Sequence, residues 1–474
     1  MRLLIQLYVY IATTLLALSP FVMSYTEGVI GQPRSFFPNQ VETQVDKTIS
    51  RLIYRGLFKY DIYGTLTSDL ADTWSISDDG LVYTVTIKDN QYWSNGKKVT
   101  ANDLIYTAFN VPNLSGVGTD KVSDLTVRYT LPNKYAPFIS LLTVGIIPQD
   151  SIGTQNPIFP VSNGLFRIAR VERDGPLIRE VVLVNNDEKS KIKRLSFRFY
   201  ANENELVVAA KLGEINGFMA NKEHKLENFS EYKFPLQGVY YSLYFNLRDE
   251  ELTDVSFRNK LAKVLPLDQL IADRGILVQG AISRSTFTDR SIDFDYYDEL
   301  FKDILLDKTV TITVPDIKTH KNLANDIKKI WEDKLKLDVR IREVDPDKII
   351  KDVIEARDFE VLLYGQAVGR DPDRYVNWHS TQAEAPNLNI SGFEHVRADR
   401  ALEEGRAETD QEKRISHYNQ FQNVIHEQVP AIFLYHPFVN YYISDYYKGI
   451  GEKYTFMVGD RFLDFNNWEK IRTN

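Results

Sequence analysis

The run Leu70-Ala71-Asp72-Thr73-Trp74-Ser75-Ile76-Ser77-Asp78-Asp79-Gly80, continued by Trp93-Ser94-Asn95-Gly96-Lys97 and Thr100-Ala101-Asn102-Asp103, sets the architecture of the first half of the chain. Asp78-Asp79-Gly80 is a turn signal, because a short acidic side chain bonds its own backbone and glycine accepts a positive φ. It is followed by Leu81-Val82-Tyr83-Thr84-Val85-Thr86-Ile87, rich in β-formers, and Asn95-Gly96 marks a second tight turn. Outward from this block, Tyr25 to about Phe109 reads as short strands and turns, and Asp124–Tyr129 as a further strand. Pro132, Pro137, Pro148, Pro157 and Pro160 punctuate loops.

Beyond Lys308 the pattern changes. Val310, Ile312 and Val314 alternate as a strand; Leu323, Ile327, Ile330 and Trp331 recur at helical spacing; Val339 and Ile341 give the next strand. Asp345-Pro346 predicts a helix start, with Ile349, Ile350, Val353 and Ile354 as its apolar face, and Phe359–Tyr364 is a third strand. Strands alternating with helices of this length predict parallel β-α-β units. Thr409 and Glu412 predict a capping box, after which Ile415, Tyr418, Phe421 and Ile425 line one face until Pro430 stops the helix; Ala431–Tyr435 reads as a buried strand.

The N-terminus carries a compartment signal. Met1-Arg2 precede an apolar run, Leu3–Leu18, broken by Gln6, Thr13 and Thr14 and ended by Ser19-Pro20. Extended through Met23 the run reaches roughly 20 residues, about what a membrane-spanning helix needs. Residues 1–24 are therefore a signal peptide, with a cleavage point after Val22-Met23-Ser24, or a retained N-terminal membrane anchor. The two readings stay open.

Composition narrows the chemistry. In 474 residues, 65 acidic and 57 basic side chains give a net charge of -8 with no basic block, so nucleic acid is not an expected partner. The absence of cysteine excludes thiol catalysis, thiolate metal sites, disulfides and lipidation at a cysteine. His426-Glu427 begins a zinc-hydrolase motif, but Pro430 stands where the second histidine belongs. Neither a G-x-S-x-G elbow nor a glycine-rich phosphate loop occurs. Asp371-Pro372-Asp373 lacks further oxygen ligands at calcium-loop spacing and reads as a turn with a capping carboxylate. No catalytic residue, metal or cofactor is expected. The abundance of aromatics, 27 Tyr, 26 Phe and 5 Trp, supplies core and suits a ligand cleft.

The order of these blocks resembles the bacterial extracellular solute-binding proteins of the dipeptide, oligopeptide and nickel type, family 5. Glu27–Ser35 through Pro38-Asn39 is similar to that family's first strand and turn, Tyr54-Arg55-Gly56-Leu57-Phe58 follows, and the Leu70–Asp103 block carries its most specific signature. Pro160–Phe166 keeps part of a later block, with Leu165 in place of a proline. Phe245-Asn246, Phe257–Ala262, the Asp371 turn, Asp399–Arg406, Glu408-Thr409-Asp410 and Pro430–His436 complete the order.

The resemblance implies an α/β, periplasmic-binding-protein-like two-lobe fold of type II, the large peptide-binding class, with an extra β-rich subdomain in the first lobe. Lobe I would take 25–245 plus 436–474, its small β subdomain lying at about 45–163, and lobe II 246–435. It implies a monomeric, extracytoplasmic receptor, periplasmic or cell-surface, that closes on a peptide or peptide-like solute by hinge motion and hands it to an ABC permease with its ATPase. Membrane contact would come through the N-terminal segment if it is uncleaved. An extended peptide would lie as an added strand against Gln40, Val41 and Glu42 of the first lobe and Gly365, Gln366, Ala367 and Val368 of the second. Peptide binders place an aspartate four residues before the proline of the Asp371 turn, to meet the ligand's amino terminus; here that position is Val368. Glu42 or Asp371 could meet the amine instead, and Arg370 could receive a carboxylate or phosphate. Readings from other classes are a secreted or anchored hydrolase, and an extracytoplasmic peptide sensor or chaperone without a transport role.

Overall fold

The computed structural model describes residues 23–278, 280–282, 296–299, 301 and 308–471; the predicted signal or anchor segment lies outside them, apart from Met23 and Ser24. Two compact units are present, one comprising the chain up to Phe234 and from Val439, the other Pro235–Phe438. The strands of their main sheets are, in chain order, β1 (Ser24–Ile30), β2 (Phe166–Asp174), β3 (Leu177–Asn185), β4 (Arg194–Tyr200), β5 (Gly217–Ala220), β6 (Val239–Phe245), β7 (Thr309–Pro315), β8 (Asp338–Val344), β9 (Val361–Ala367) and β10 (Ala431–Ser444). The longer helices are α1 (Gln44–Ile53), α2 (Ala101–Asn110), α3 (Glu203–Lys211), α4 (Lys318–Leu335), α5 (Val396–Ala407) and α6 (Gln411–Gln428).

In the first unit β1 runs parallel to β4 and β5, while β3 pairs antiparallel with β4 and β2. Phe166, Ile168, Val181, Leu183, Leu195 and Phe197 bury one face of this sheet in the principal core, at about 1.5–3 kcal/mol per large side chain. A separate four-stranded antiparallel sheet spans Ala71–Ile76, Val82–Ile87, Gly118–Lys121 and Thr126–Thr130. Its signature residues are structural. Asp79 Oδ1 accepts the Leu81 N–H at 3.0 Å while Gly80 takes φ +71°, and buried Asp103 accepts from Thr100 N, Gln149 N and Trp93 Nε1. The chain ends meet at Glu27, whose buried carboxylate accepts from Arg461 and from the Tyr441 hydroxyl.

In the second unit β7 is parallel to β8 and β9, as the β-α-β reading predicts. Alternation puts Leu243 and Phe245 of β6 on one face with Trp331 and Ile327 of α4, and Tyr240 and Tyr244 on the other with Phe421 of α6 and Leu402 of α5. The sheet is therefore covered on both sides.

Several local expectations need correction. α1 and α2 interrupt the region read as strands and turns; Val45, Ile49 and Ile53 recur every four residues, a helical stripe inside a short polar segment. The last long helix is capped by Asp410, not Thr409: the Asp410 carboxylate accepts the Lys413 N–H at 3.0 Å, and a full negative charge suits the helix dipole better than a hydroxyl. Asp345-Pro346 forms a turn, after which Ile349–Glu355 winds as a π-helix that buries Ile349, Val353 and Ile354 and leaves Ile350 exposed.

Candidate functional site

The first group of predicted residues follows β1 in the first unit. Thr43 caps α1 and Asp46, three residues on, completes a reciprocal box. The Asp46 carboxylate, fully buried, reaches further: it accepts the N–H groups of Thr43 at 2.9 Å, Glu42 at 3.3 Å and Arg34 at 2.9 Å. One carboxylate thus fixes both ends of the segment 34–43, while Phe36 and Phe37 anchor its middle in the core. Ser35 Oγ donates to Gln40 Oε1 at 3.2 Å, and the Gln40 N–H bonds Phe37 O. The result is an open hollow of about 410 Å³ lined by Gln40, Val41 and Glu42 with Arg34, Ser35, Asn39 and Pro157. Arg34 and Glu42 pair at this rim, both side chains mostly exposed. Asn39 Oδ1, in a residue that sequence reasoning passed over, is buried and receives no hydrogen bond among the described residues.

The second group lies on β9 and the loop after it, in the second unit. β9 pairs antiparallel with β6 along its length, Val361↔Phe245 to Ala367↔Val239, but with β7 only at Val361 and Leu362. From Leu363 to Ala367 the opposite edge has no strand partner among the described residues. A Cβ at Gly365 would come within 2.8 Å of the Tyr241 ring, so this position tolerates no side chain without displacing it. Gln366 faces inward: its Oε1 accepts from the Tyr240 and Tyr244 hydroxyls at 3.3 and 3.1 Å, and its Nε2 donates to Leu388 O at 2.9 Å. Ala367 is exposed; Val368 packs partly against the core of Tyr240 and Tyr244, and its N–H bonds Gly238 O.

The loop is clamped by arginines. Arg414 donates to both oxygens of Asp371, and Arg406 donates through Nε and Nη2 to Asp373 Oδ2. Arg374, fully buried, donates to the carbonyls of Ala281, Asp371 and Asp373. Burial works against the charge of Arg414, but the Asp371 carboxylate and the Tyr418 side chain together more than offset it and the guanidinium pKa ends above its ordinary value. Asp373 also caps the next turn through Tyr375 N at 3.0 Å, the role read from the sequence for this acidic pair. Arg370 is buried beside the clamp. The Asp371 charge is thus neutralised within its own unit. The partners Asp46 and Arg414 were not identified from sequence; the Thr43-x-x-Asp46 spacing carried a signal for the first, and nothing local pointed to the second.

The chain is similar to known proteins over most of its length. The profile of the bacterial extracellular solute-binding proteins, family 5 Middle, matches residues 65–387. The oligopeptide-binding protein AppA of Bacillus subtilis is 22% identical over 466 residues, covering 86% of this chain and 85% of that protein. The dipeptide-binding protein of Escherichia coli is 22% identical over 476 residues, covering 86% and 88%. Among solved structures, the ABC transporter substrate-binding protein CtaP of Listeria monocytogenes superposes with a TM-score of 0.79 at 23% identity, covering 95% of this chain and 99% of that one. AppA of B. subtilis in complex with a nonapeptide gives a TM-score of 0.67 at 19% identity, covering 95% and 99%. The fold is that of the type II periplasmic peptide-binding proteins.

Proposed function

Because the chain belongs to the bacterial extracellular solute-binding proteins of family 5, we propose that it is the solute-receiving component of an ABC uptake transporter, taking peptides or peptide-like solutes and catalysing no reaction. The observation that carries this reading is the near full-length match to relatives whose names are oligopeptide- and dipeptide-binding protein. Two local features support it. The open edge of β9 from Leu363 to Ala367 offers backbone donors and acceptors to an extended ligand, as strand addition requires. The hollow at Gln40, Val41 and Glu42 is rigidly framed by Asp46 and combines a carboxylate, an amide and an apolar surface.

On this reading the receptor is a monomer working outside the cytoplasm, periplasmic or cell-surface, with a permease and ATPase as partners; it is attached to the membrane where residues 1–24 are retained. Among the described residues no helix is long and apolar enough to cross a membrane. Val368, where peptide binders carry an aspartate, favours solutes whose amino end is blocked. An ammonium buried without a carboxylate costs several kcal/mol.

Mass spectrometry of solute released by denaturing freshly purified protein tests the reading. A set of short peptides, each raising the melting temperature of solute-free protein on re-addition and recovered intact, is the expected result. Cleavage of those peptides by pure protein would assign a hydrolase instead.

A further inference from the structure

Three Asn-Gly pairs occur in the chain, Asn95-Gly96, Asn163-Gly164 and Asn216-Gly217. This dipeptide carries a chemistry of its own, one source of the thermal lability of asparagine. The glycine backbone nitrogen, with no side chain beside it to hinder approach, can add to the side-chain carbonyl carbon of the asparagine as it gives up its proton. Ammonia takes up a proton and leaves, and water then opens the cyclic imide at one carbonyl or the other, giving aspartate or isoaspartate. The carboxamide must first leave its hydrogen-bond partner, and the glycine N–H its acceptor.

The fold treats the three pairs differently. Asn163 Oδ1 accepts the Arg55 N–H at 3.0 Å, across 108 positions of chain, and the Gly164 N–H donates to Ile53 O at 2.7 Å. A Cβ at Gly164 would lie 2.4 Å from the Ile53 carbonyl carbon, so this peptide has no room to turn. Asn216 Oδ1 accepts the Thr26 N–H at 2.9 Å, across 190 positions, and buried Gly217 is paired with Glu27 of β1 and Ile443 of β10. Releasing either asparagine means parting packed elements that are remote in the chain, at a cost near that of unfolding the unit. At Asn95 the corresponding bonds are local. Its Oδ1 accepts the Lys97 N–H at 3.1 Å, two positions on, the Gly96 N–H donates to Trp93 O at 2.8 Å, and the Trp93 N–H donates to Lys97 O at 2.9 Å. Gly96, at φ +79°, Lys97 and Lys98 are exposed at the tip of this hairpin, while Trp93 and Val99 anchor its arms in the core. Opening the tip breaks the bonds of the Asn95 Oδ1 and of the Gly96 N–H together, without withdrawing Trp93 or Val99 from the core.

We propose that Asn95 is a site of spontaneous deamidation in the folded protein, and that the fold protects Asn163 and Asn216 from the same reaction. The two products act differently on the hairpin. Aspartate keeps an oxygen for the Lys97 N–H and adds a negative charge beside Lys97 and Lys98. Isoaspartate carries the main chain through the former side chain and so adds a methylene before Gly96, which takes the Gly96 N–H and Lys97 O out of register with Trp93. The hairpin is tied to the segment Pro160–Phe166 through Ser94, whose N–H donates to Ser162 O at 2.7 Å and whose Oγ accepts the Ser162 N–H at 3.1 Å. The lengthened link therefore loosens this tie, whatever solute the protein receives.

Purified protein is aged in mildly alkaline buffer, with and without urea, and its peptides are mapped by mass spectrometry after chromatography that separates aspartate from isoaspartate. In the native protein, conversion at Asn95 should outpace that at Asn163 and at Asn216 by at least about tenfold, because local opening is far more frequent than global opening. In urea the three rates should converge to within about threefold, since the native partners are lost. Asn95→Gln, whose longer side chain disfavours the same ring, should keep the fold and lose the main acidic product. In the aged native protein, the isoaspartate form, isolated by ion exchange, should exchange the amides of Trp93, Gly96 and Lys97 faster than the aspartate form does. Equal native rates at the three asparagines, or conversion at Asn95 in urea with none in native buffer, would overturn the proposal. Persistence of the acidic product in Asn95→Gln would assign the conversion to another residue and overturn it as well, and an isoaspartate form that exchanges like the aspartate form would remove the effect on the hairpin.

Discussion

Arg414 holds Asp371 with two guanidinium nitrogens, Nη2 to Oδ1 at 2.8 Å and Nη1 to Oδ2 at 3.1 Å, and both side chains are nearly inaccessible to water. The pair stands 43 residues apart in the chain and closes the loop that follows β9. Removing only the cation leaves a buried carboxylate without its counter-ion, which costs roughly 3–5 kcal/mol. Arg414→Met should therefore lower the urea midpoint sharply. The double variant Arg414→Met/Asp371→Leu should recover much of that loss, because the charge is gone too. A double variant no more stable than the single one would show that packing, not charge, is what Arg414 supplies.

Asp46 offers a second test, on the other segment. Three backbone N–H groups, from Arg34, Glu42 and Thr43, converge on its buried carboxylate. Asp46→Ala removes an N-terminal capping partner and orphans those donors, a loss of about 2–4 kcal/mol in stability. Faster amide exchange at Arg34, Glu42 and Thr43 than in the wild type is expected, with α1 frayed at its first turn. Unchanged exchange at Arg34 would mean that Phe36 and Phe37, rather than the carboxylate, hold the segment.

The contrast between these residues shows what the sequence could reveal. The alternation of Val310, Ile312 and Val314 and the spacing of Leu323, Ile327 and Trp331 are local patterns, and they became β7 and α4 with a parallel partner strand. α1 was hidden because its apolar stripe of Val45, Ile49 and Ile53 is spread among polar residues. The inward commitment of Gln366 to Tyr240 and Tyr244 depends on a neighbouring strand more than 120 residues away, and no local pattern encodes it. The clamp of Arg414 on Asp371 is likewise a product of tertiary packing. Turn chemistry at Asp371-Pro372-Asp373 was legible because Asp373 Oδ1 bonds Tyr375 N only two residues on.

Glu42 and Val368 test the ligand reading directly. The Glu42 pair with Arg34 is exposed on both sides, and such pairs contribute about 0–1 kcal/mol, so Glu42→Ala should leave the melting temperature nearly unchanged. Its solute affinity by calorimetry should nevertheless fall, by about tenfold or more where the carboxylate meets an ammonium. Val368→Asp should raise affinity for peptides with a free amino end over their acetylated forms. Equal affinities for the two forms in that variant would remove Val368 from the ligand segment.

His320 on α4 sets a pH dependence for the second unit. Its ring lies 4.9 Å from that of Tyr241, its Nδ1 is buried without a partner among the described residues, and burial lowers its pKa below the ordinary 6.5. The folded state therefore holds the imidazole neutral, whereas the unfolded chain takes up a proton once the pH falls below 6.5. Between the unfolded and the lower folded pKa the unfolded state binds more protons, so stability is complete above 6.5 and declines as the solution is acidified. His320→Gln cannot take up that proton. Urea titrations of wild type and variant from about pH 8 down to about pH 5, the range over which an imidazole changes charge, should show a smaller acid-side loss in the variant. Parallel losses would mean that the ring protonates in place, and that its cavity admits water.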